Sequence, residues 1–179
     1  MEGSVESRAN QDVRGRSLVA AMKASGLSVV VTLPDITTSE SVLRELAVQS
    51  DMRHIKVCKE DEGIGIVAGM SYCNKRGLML MQNTGLFYSM NAVRALGGEY
   101  QLPICMMVGL LSKEPGVAPI QSKFYSVRIV EPILDTMGIR HELVESEADV
   151  AKIKPAIDWA YVNSKPVVIL IGRPPRIDE

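Results

Sequence analysis

The chain has 179 residues, 46% of them hydrophobic, and a formal net charge of −1. This length suffices for one domain with a substantial core, and the apolar content excludes a disordered chain. Because the charge is close to zero, no basic field covers the domain, and we expect no nucleic-acid partner. No run approaches the roughly 18 apolar residues of a membrane span, so we expect no membrane partner.

The cysteines and the first residues indicate where the protein works. The three cysteines have no metal-ligand spacing, and an odd number fits a reducing compartment better than a disulfide framework. Residues 1–14 are polar and lack the apolar stretch of a signal peptide. We therefore predict a cytoplasmic protein with a disordered polar tail over 1–14 and a single domain over 15–179.

Short apolar runs alternate with helical patterns along the chain. The runs predict six strands, and the patterns between them predict helices, with a disturbance at Pro155 in the last helix. Such alternation indicates parallel strands covered on both faces, which is a single doubly wound α/β domain with a mostly parallel six-stranded sheet. The strands are predicted at 27–34, 54–58, 77–83, 103–111, 141–145 and 166–172, and the helices at 37–49, 60–75, 89–100, 123–138 and 146–164.

Ligands of such sheets bind at the carboxyl ends of the strands, so the segments that follow the strands are candidate site segments. The third strand ends in MQNTGLFYS, where Gln82, Asn83 and Thr84 precede Gly85, which allows a sharp turn. A polar helix cap would explain these residues equally well. The other segments are LPDITTS at 33–39, CKEDE at 58–62 and LLSKEPG at 110–116.

Three acids at 60–62 lead into an apolar helix that contains Gly63, Gly65 and Gly69. The helix dipole favours carboxylates in a first turn, and this alone could account for the acids. It does not account for the glycines, which weaken a helix. Their small size allows another helix or a flat ligand to approach the backbone closely.

Three segments, KEDEGIGIVAGMSYCNKRG, LMLMQNTGLFYSMNAVRAL and LPICMMVGLLSKEPG, together resemble the pyrimidine-binding (PYR) domain of thiamine-diphosphate enzymes. Within these enzymes they are most similar to the α subunits of sulfopyruvate decarboxylase and to phosphonopyruvate decarboxylase. The resemblance covers roughly residues 15–173. It implies a PYR fold and a 2-oxo acid decarboxylase that uses thiamine diphosphate.

The resemblance also implies site residues. The family's glutamate, nine residues before the glycine of an Ala-Gly pair, falls on Glu60 and not on Glu62, and would activate the cofactor. The family's Pro-Asp after the first strand falls on 34–35 and implies a catalytic Asp35 on the substrate side, with a helix cap as the alternative. The implied cofactor-binding residues are Glu60, Pro34, Gln82, Asn83, Thr84 and Gly85, and the candidate substrate-binding residues are Gln82, Asn83, Lys113 and Lys123.

The chain departs from the family in three places. The family's Gly-Asp-Gly…Asn-Asn motif, which holds the diphosphate through Mg²⁺, does not occur. Gln121 and Ser122 stand where related decarboxylases have histidine, and Phe87 replaces a glycine. The chain is therefore expected to be half of an enzyme, with the diphosphate and Mg²⁺ bound mainly by a β subunit. Alone, it should be inactive and should self-associate through the glycine-containing helix and the helix after it.

The implied reaction converts sulfopyruvate to sulfoacetaldehyde and CO₂. Phosphonopyruvate or another 2-oxo acid remains an alternative substrate. A PYR-like domain that binds a partner without catalysis remains an alternative of a different class.

Overall fold

A computed structural model describes residues 12–177 of the chain. Within these residues six strands form one sheet in which every neighbouring pair is parallel, in the order β2-β1-β3-β4-β6-β5. The predicted doubly wound α/β domain is confirmed. The strands are β1 Val29–Thr32, β2 Arg53–Lys56, β3 Gly77–Gln82, β4 Cys105–Gly109, β5 Arg140–Val144 and β6 Val167–Ile171.

Helices cover both faces of this sheet. α1 is Gly15–Ala24, and α2 consists of a π-helical turn, Ser39–Leu43, and an α-helical turn, Arg44–Ala47. The others are α3 Glu60–Tyr72, α4 Asn83–Ala92 with a π-helical continuation Val93–Glu99, α5 Tyr125–Arg128, α6 Val130–Thr136 and α7 Ile153–Asn163, and 3₁₀ turns lie at Pro119–Gln121 and Glu147–Lys152. No helix within residues 12–177 is long and apolar enough to cross a membrane.

The central strands are buried on both sides, which is why they appear as continuous apolar runs. Leu78 and Leu80 of β3 point to a core formed with α1, α2 and α7. Met79 and Met81 point to a second core formed with α3 to α6. Residues that alternate along one strand thus fill two separate cores.

The helix positions correct several predictions. α4 begins at Asn83, directly after β3, so residues 83–88 are helical and not the predicted turn. The helix predicted at 123–138 is interrupted at Ile129 between α5 and α6. α1 was not predicted. No disturbance occurs at Pro155, which lies in the first turn of α7, where its missing N–H is tolerated; the predicted helix is instead divided before it, into 3₁₀ turns at Glu147–Lys152 and α7 from Ile153.

The boundary of the predicted tail also changes. Asp12 forms an antiparallel bridge with Ser146, and Arg14 forms a parallel bridge with Arg176. Val13 between them is buried. Residues 12–14 therefore belong to the folded domain, while residues 1–11 of the predicted tail lie outside the described residues.

The glycines of the helices differ in what surrounds them. A Cβ at Gly15 in α1 would lie 2.5 Å from the carbonyl oxygen of Ser41 in α2, so these two helices pack with backbone against backbone. A Cβ at Gly65 or Gly69 of α3 would meet no atom within 4 Å. Within the described residues no helix packs on these two positions, so the close approach predicted for the α3 glycines stays a prediction for a partner or a ligand.

This contrast makes a stability prediction. Gly15→Ala should lower the free energy of unfolding by about 1–3 kcal/mol, because the Ser41 backbone must move. Gly65→Ala should raise it by about 0.5–1 kcal/mol, because alanine favours the helix and meets no obstacle. Urea denaturation of the two variants measures both effects, and equal shifts in the same direction would contradict the packing described here.

Candidate active site

The direction of the connections determines where a crevice opens. The chain leaves β1 towards the face that carries α1, α2 and α7, and it leaves β3 towards the opposite face. Because β1 and β3 are neighbours in the sheet, their carboxyl ends form a topological switch point. The loop after β1, the start of α3 and the start of α4 surround this point, and they contain most of the residues proposed from the sequence.

Glu60 is the first residue of α3, and its side chain packs directly on the bare Cα of Gly85 in the first turn of α4. A Cβ at position 85 would lie 2.6 Å from Cδ of Glu60. The starts of two helices therefore meet at one carboxylate. Among residues 12–177 no group hydrogen-bonds to this carboxylate or forms an ion pair with it. It is thus free to act on something outside the chain.

Glu62, in contrast, is engaged in hydrogen bonds within the chain. Its Oε2 accepts hydrogen bonds from the backbone N–H groups of Cys58, at 3.2 Å, and Lys59, at 3.3 Å. These are cap interactions at the start of α3. The geometry therefore agrees with the motif spacing in selecting Glu60 and not Glu62 as the available acid.

A cavity of about 300 Å³ lies beside this acid and is lined by Lys59, Glu60, Asp61 and Tyr88. Tyr88 is one helical turn beyond Gly85, and 85% of it is exposed. The sequence analysis missed Tyr88 because it interpreted residues 83–88 as a turn. In a helix, the spacing of three residues from Gly85 would have placed Tyr88 on the same side.

The polar residues at the end of β3 divide into two groups. Thr84 Oγ1 donates to Gln82 Oε1 at 2.9 Å, and both residues reach the surface. Asn83 is fully buried, with Nδ2 donating to the Ser126 carbonyl at 3.3 Å and Oδ1 accepting from the Leu111 N–H at 3.3 Å. Direct contact of Asn83 with a cofactor or substrate does not fit this geometry. Asn83 instead joins the ends of β3 and β4 to the start of α5.

Asp35 is buried beneath the loop that leads to α2. Its Oδ1 accepts hydrogen bonds from the N–H groups of Thr37, at 2.6 Å, and Thr38, at 2.9 Å, and its Oδ2 accepts one from the Thr38 hydroxyl. Gly109 at the end of β4 leaves room for it, since a Cβ there would lie 3.1 Å from Oδ1. This geometry supports the helix-cap alternative. A place on the substrate side remains a prediction for Asp35 and for the exposed Pro34 next to it.

The two candidate lysines lie in very different surroundings. The side chain of Lys113 is fully buried and forms an ion pair with Glu145. Contact between Lys113 and a substrate does not fit this burial. Lys123 is exposed, and its Nζ lies 5.1 Å from the centre of the Phe124 ring. Lys123 is therefore the one of the two that can reach a ligand.

A second cavity, of about 380 Å³, lies at the opposite edge of the sheet, where β4, β5 and β6 begin. Its lining includes Arg94, Gln101 and Lys165 but contains no carboxylate, thiol, hydroxyl or imidazole among the described residues. It lies at the amino ends of the strands and its described lining contains no carboxylate that could act as an acid, whereas the carboxyl ends are where ligands of such sheets bind, so we place the candidate active site at Glu60. Within residues 12–177 no group of three or more His, Cys, Asp or Glu residues could hold a metal ion.

Comparison with known proteins identifies relatives along most of the chain. The chain is 34% identical over 156 residues to the sulfopyruvate decarboxylase subunit alpha of Methanothermobacter thermautotrophicus. The alignment covers 87% of this chain and 93% of that protein. The subunit alpha of Methanococcus maripaludis is 35% identical, with 84% and 89% covered. A protein of Methanosarcina acetivorans named sulfopyruvate decarboxylase is 25% identical, and the chain spans 39% of its length. No protein-family model matches the chain.

A solved structure shares the fold. The 2-oxoglutarate:ferredoxin oxidoreductase from Magnetococcus marinus aligns with a TM-score of 0.65 over 94% of this chain and 33% of its own, at 18% identity. The sheet topology and this shared fold define a doubly wound α/β domain of the PYR type, as the resemblance implied. The identity to the curated relatives then makes the assignment specific: the chain belongs to the family of sulfopyruvate decarboxylase α subunits.

The Asp35 geometry predicts a loss of stability on substitution. Asp35→Ala should lower the free energy of unfolding by about 1–2 kcal/mol, because two backbone N–H groups lose their cap. Asp135→Ala, which removes an exposed carboxylate, is the control and should change stability by less than about 0.5 kcal/mol. Urea denaturation compares the two, and equal stabilities would show that the cap contributes nothing.

Proposed function

We propose that the chain is the α subunit of a thiamine-diphosphate-dependent decarboxylase that converts sulfopyruvate to sulfoacetaldehyde and CO₂. The observation that carries this proposal is the unpaired carboxylate of Glu60, which lies on Gly85 where two helices begin. Membership of the sulfopyruvate decarboxylase α-subunit family supports the substrate.

The residues around Glu60 fit the aminopyrimidine ring of thiamine diphosphate. Gly85 lets the carboxylate lie against the start of α4, and Tyr88 adds an aromatic side chain to the cavity beside it. Glu60 would hold a hydrogen bond to a ring nitrogen, with Gln82, Thr84 and the exposed Pro34 at the rim of the crevice. When bound, thiamine diphosphate supplies the electron sink that allows CO₂ to leave.

The substrate carries a carboxylate and an anionic head group, so cationic and amide partners suit it. We propose Lys123 and Gln82 for this contact. Lys123 lies three residues before Ser126, which Asn83 ties to the ends of β3 and β4. Three residues span at most about 10 Å, so the Lys123 backbone stays close to the crevice. The same groups would accept a phosphonate in place of a sulfonate, which keeps phosphonopyruvate as the alternative substrate.

A partner chain belongs to the proposal. The relatives are named as subunit alpha, and the relative named as the decarboxylase itself is more than twice as long as the aligned region. We propose that a β subunit binds the diphosphate and Mg²⁺, and that the complex works in the cytoplasm. The free cysteines 58, 73 and 105 agree with that location.

The partner would cover the exposed side of α3 next to Glu60. Gly65 and Gly69 are open there, Tyr72 is 80% exposed, and Tyr88 projects from the adjoining α4. Small residues permit close approach of another helix, and exposed aromatic side chains mark contact surfaces. Without the β subunit, the same surface would support self-association of the chain.

The acid assignment predicts the effect of two conservative substitutions. Glu60→Gln should lower kcat of the reconstituted α/β enzyme by about 10²-fold or more, because the amide cannot exchange the proton that the ring nitrogen requires. Glu62→Gln should leave kcat nearly unchanged, because its amide oxygen can still cap Cys58 and Lys59. Steady-state kinetics with sulfopyruvate and hydrogen exchange at C2 of the bound cofactor provide two independent measurements.

The same assay separates the alternatives. Loss of activity in Glu62→Gln but not in Glu60→Gln would shift the acid by two residues. Preference for phosphonopyruvate over sulfopyruvate would change the substrate. If the wild-type α and β chains assemble but turn over no 2-oxo acid, the non-catalytic PYR-like domain is favoured. Turnover by this chain without any partner would refute the proposal that the active enzyme needs a β subunit.

Gly85 provides a second test that leaves every acid in place. Gly85→Ala should lower kcat by about 10²-fold, because the new Cβ overlaps the Glu60 side chain and moves its carboxylate by an ångström or more. Gly98→Ala is the matched control, since a Cβ at Gly98 meets nothing within 4 Å. If both variants keep wild-type kcat and wild-type melting temperatures, the Glu60 position has no part in catalysis.

A further inference from the structure

The carboxyl edge of the sheet contains a second switch point, at β6. The connection from β4 runs on the face with α5 and α6, and the connection from β5 runs on the face with α7. β6 lies between these two strands. Side chains of the chain itself occupy this switch point. Lys113, which follows β4, forms an ion pair there with Glu145, which follows β5.

Lys113 and Glu145 form an ion pair in which the lysine is fully buried. The Lys113 side chain has no exposed surface, and its Nζ pairs with Glu145 and donates to the Glu114 carbonyl at 3.1 Å. Glu145 lies directly over Gly172, where a Cβ would come within 2.6 Å of its Cγ. A buried charge is costly unless it is paired, and an apolar pair of similar size would often be equally stable. Stability alone therefore does not explain these residues.

The pair is connected to the loop that carries Lys123. The Glu114 carboxylate, next in sequence to Lys113, accepts hydrogen bonds from Ser122 Oγ at 2.6 Å and from the Lys123 N–H at 3.1 Å. The Ser122 hydroxyl holds the pKa of Glu114 below its ordinary value, which keeps this acceptor charged. Arg128 donates to the Ser122 carbonyl at 2.8 Å and fixes the far side of the loop.

We propose that Lys113 is a positioning residue for substrate binding: its buried ion pair with Glu145 fixes Glu114, and Glu114 fixes the loop 112–124 that presents Lys123 to the anionic head group. The inference rests on the proposed function for the ligand of Lys123. It replaces the direct substrate contact that the sequence suggested for Lys113. Lys113 acts through Lys123 and does not touch the substrate.

The test uses the α/β enzyme with the double substitution Lys113→Met/Glu145→Gln. Removing both charges avoids leaving the partly buried Glu145 carboxylate without its counter-charge, as the single Lys113→Met variant would. We expect native-like melting, faster amide hydrogen exchange in residues 112–124, and a KM for sulfopyruvate raised about tenfold with kcat within about threefold. A control, Arg76→Met/Asp158→Asn, removes a half-buried pair at the other edge and should alter melting but neither KM nor loop exchange.

A double-mutant cycle with Lys123→Met shows whether the change in KM arises through Lys123. In the wild-type background this substitution should raise KM about tenfold, and in the double variant by less than about threefold, because Lys123 is already misplaced. Unchanged loop exchange, an unchanged KM in the double variant, or additive effects would overturn the inference. If the wild-type pair does not turn over sulfopyruvate, the proposed function fails, whereas hydrogen exchange still decides whether the ion pair fixes the loop.

Discussion

A parallel sheet that is buried on both faces must return the chain over one face or the other after each strand. Wherever neighbouring connections choose opposite faces, the strand ends are left uncovered. In the part of the chain that the structure describes, this happens beside β1 and β3 and again around β6. The positions of both the candidate site and the buried ion pair follow from this geometry.

At both places a glutamate side chain packs on a glycine, but the two carboxylates differ in whether a positive charge lies beside them. Glu60 lies on the bare Cα of Gly85, and Glu145 lies on that of Gly172. Glu145 is neutralised by a lysine of the same chain, so its crevice is closed to a charged ligand. Glu60 has no such partner within residues 12–177, and its carboxylate faces a cavity. The absence of an internal counter-charge distinguishes the candidate site at Glu60 from the structural contact at Glu145.

The sequence predicted what depends on local pattern. Burial on both faces makes the strands continuous apolar runs, so all six were predicted, and motif spacing selected Glu60, although its role remains a proposal. Strand order was not predictable, because it depends on contacts between distant segments. The start of α4 was missed because Asn83, Thr84 and Gly85 are typical of turns, and only the contact with Glu60 explains a glycine there.

The roles of single polar residues depended on partners far along the chain. Lysine is rarely buried, and Lys113 is buried because Glu145, 32 residues away, pairs with it. Asn83 is used internally because its partners lie 28 and 43 residues away. Neither arrangement can be recognised from the neighbouring sequence, so the sequence analysis proposed both residues as substrate contacts.

The loop 112–124 is fixed by hydrogen bonds to Glu114 on the β4–β5 side of the sheet. Glu60 is fixed by its contact with Gly85, on the β2–β3 side. Apart from the Asn83 amide, which ties the root of this loop to β3, the hydrogen bonds that shape the loop do not involve the elements that hold the acid. On the proposed function, substitutions in the loop would alter the contact with the head group while Glu60 keeps its place. Substrate preference and cofactor activation would then be properties of two parts of the fold that can change independently.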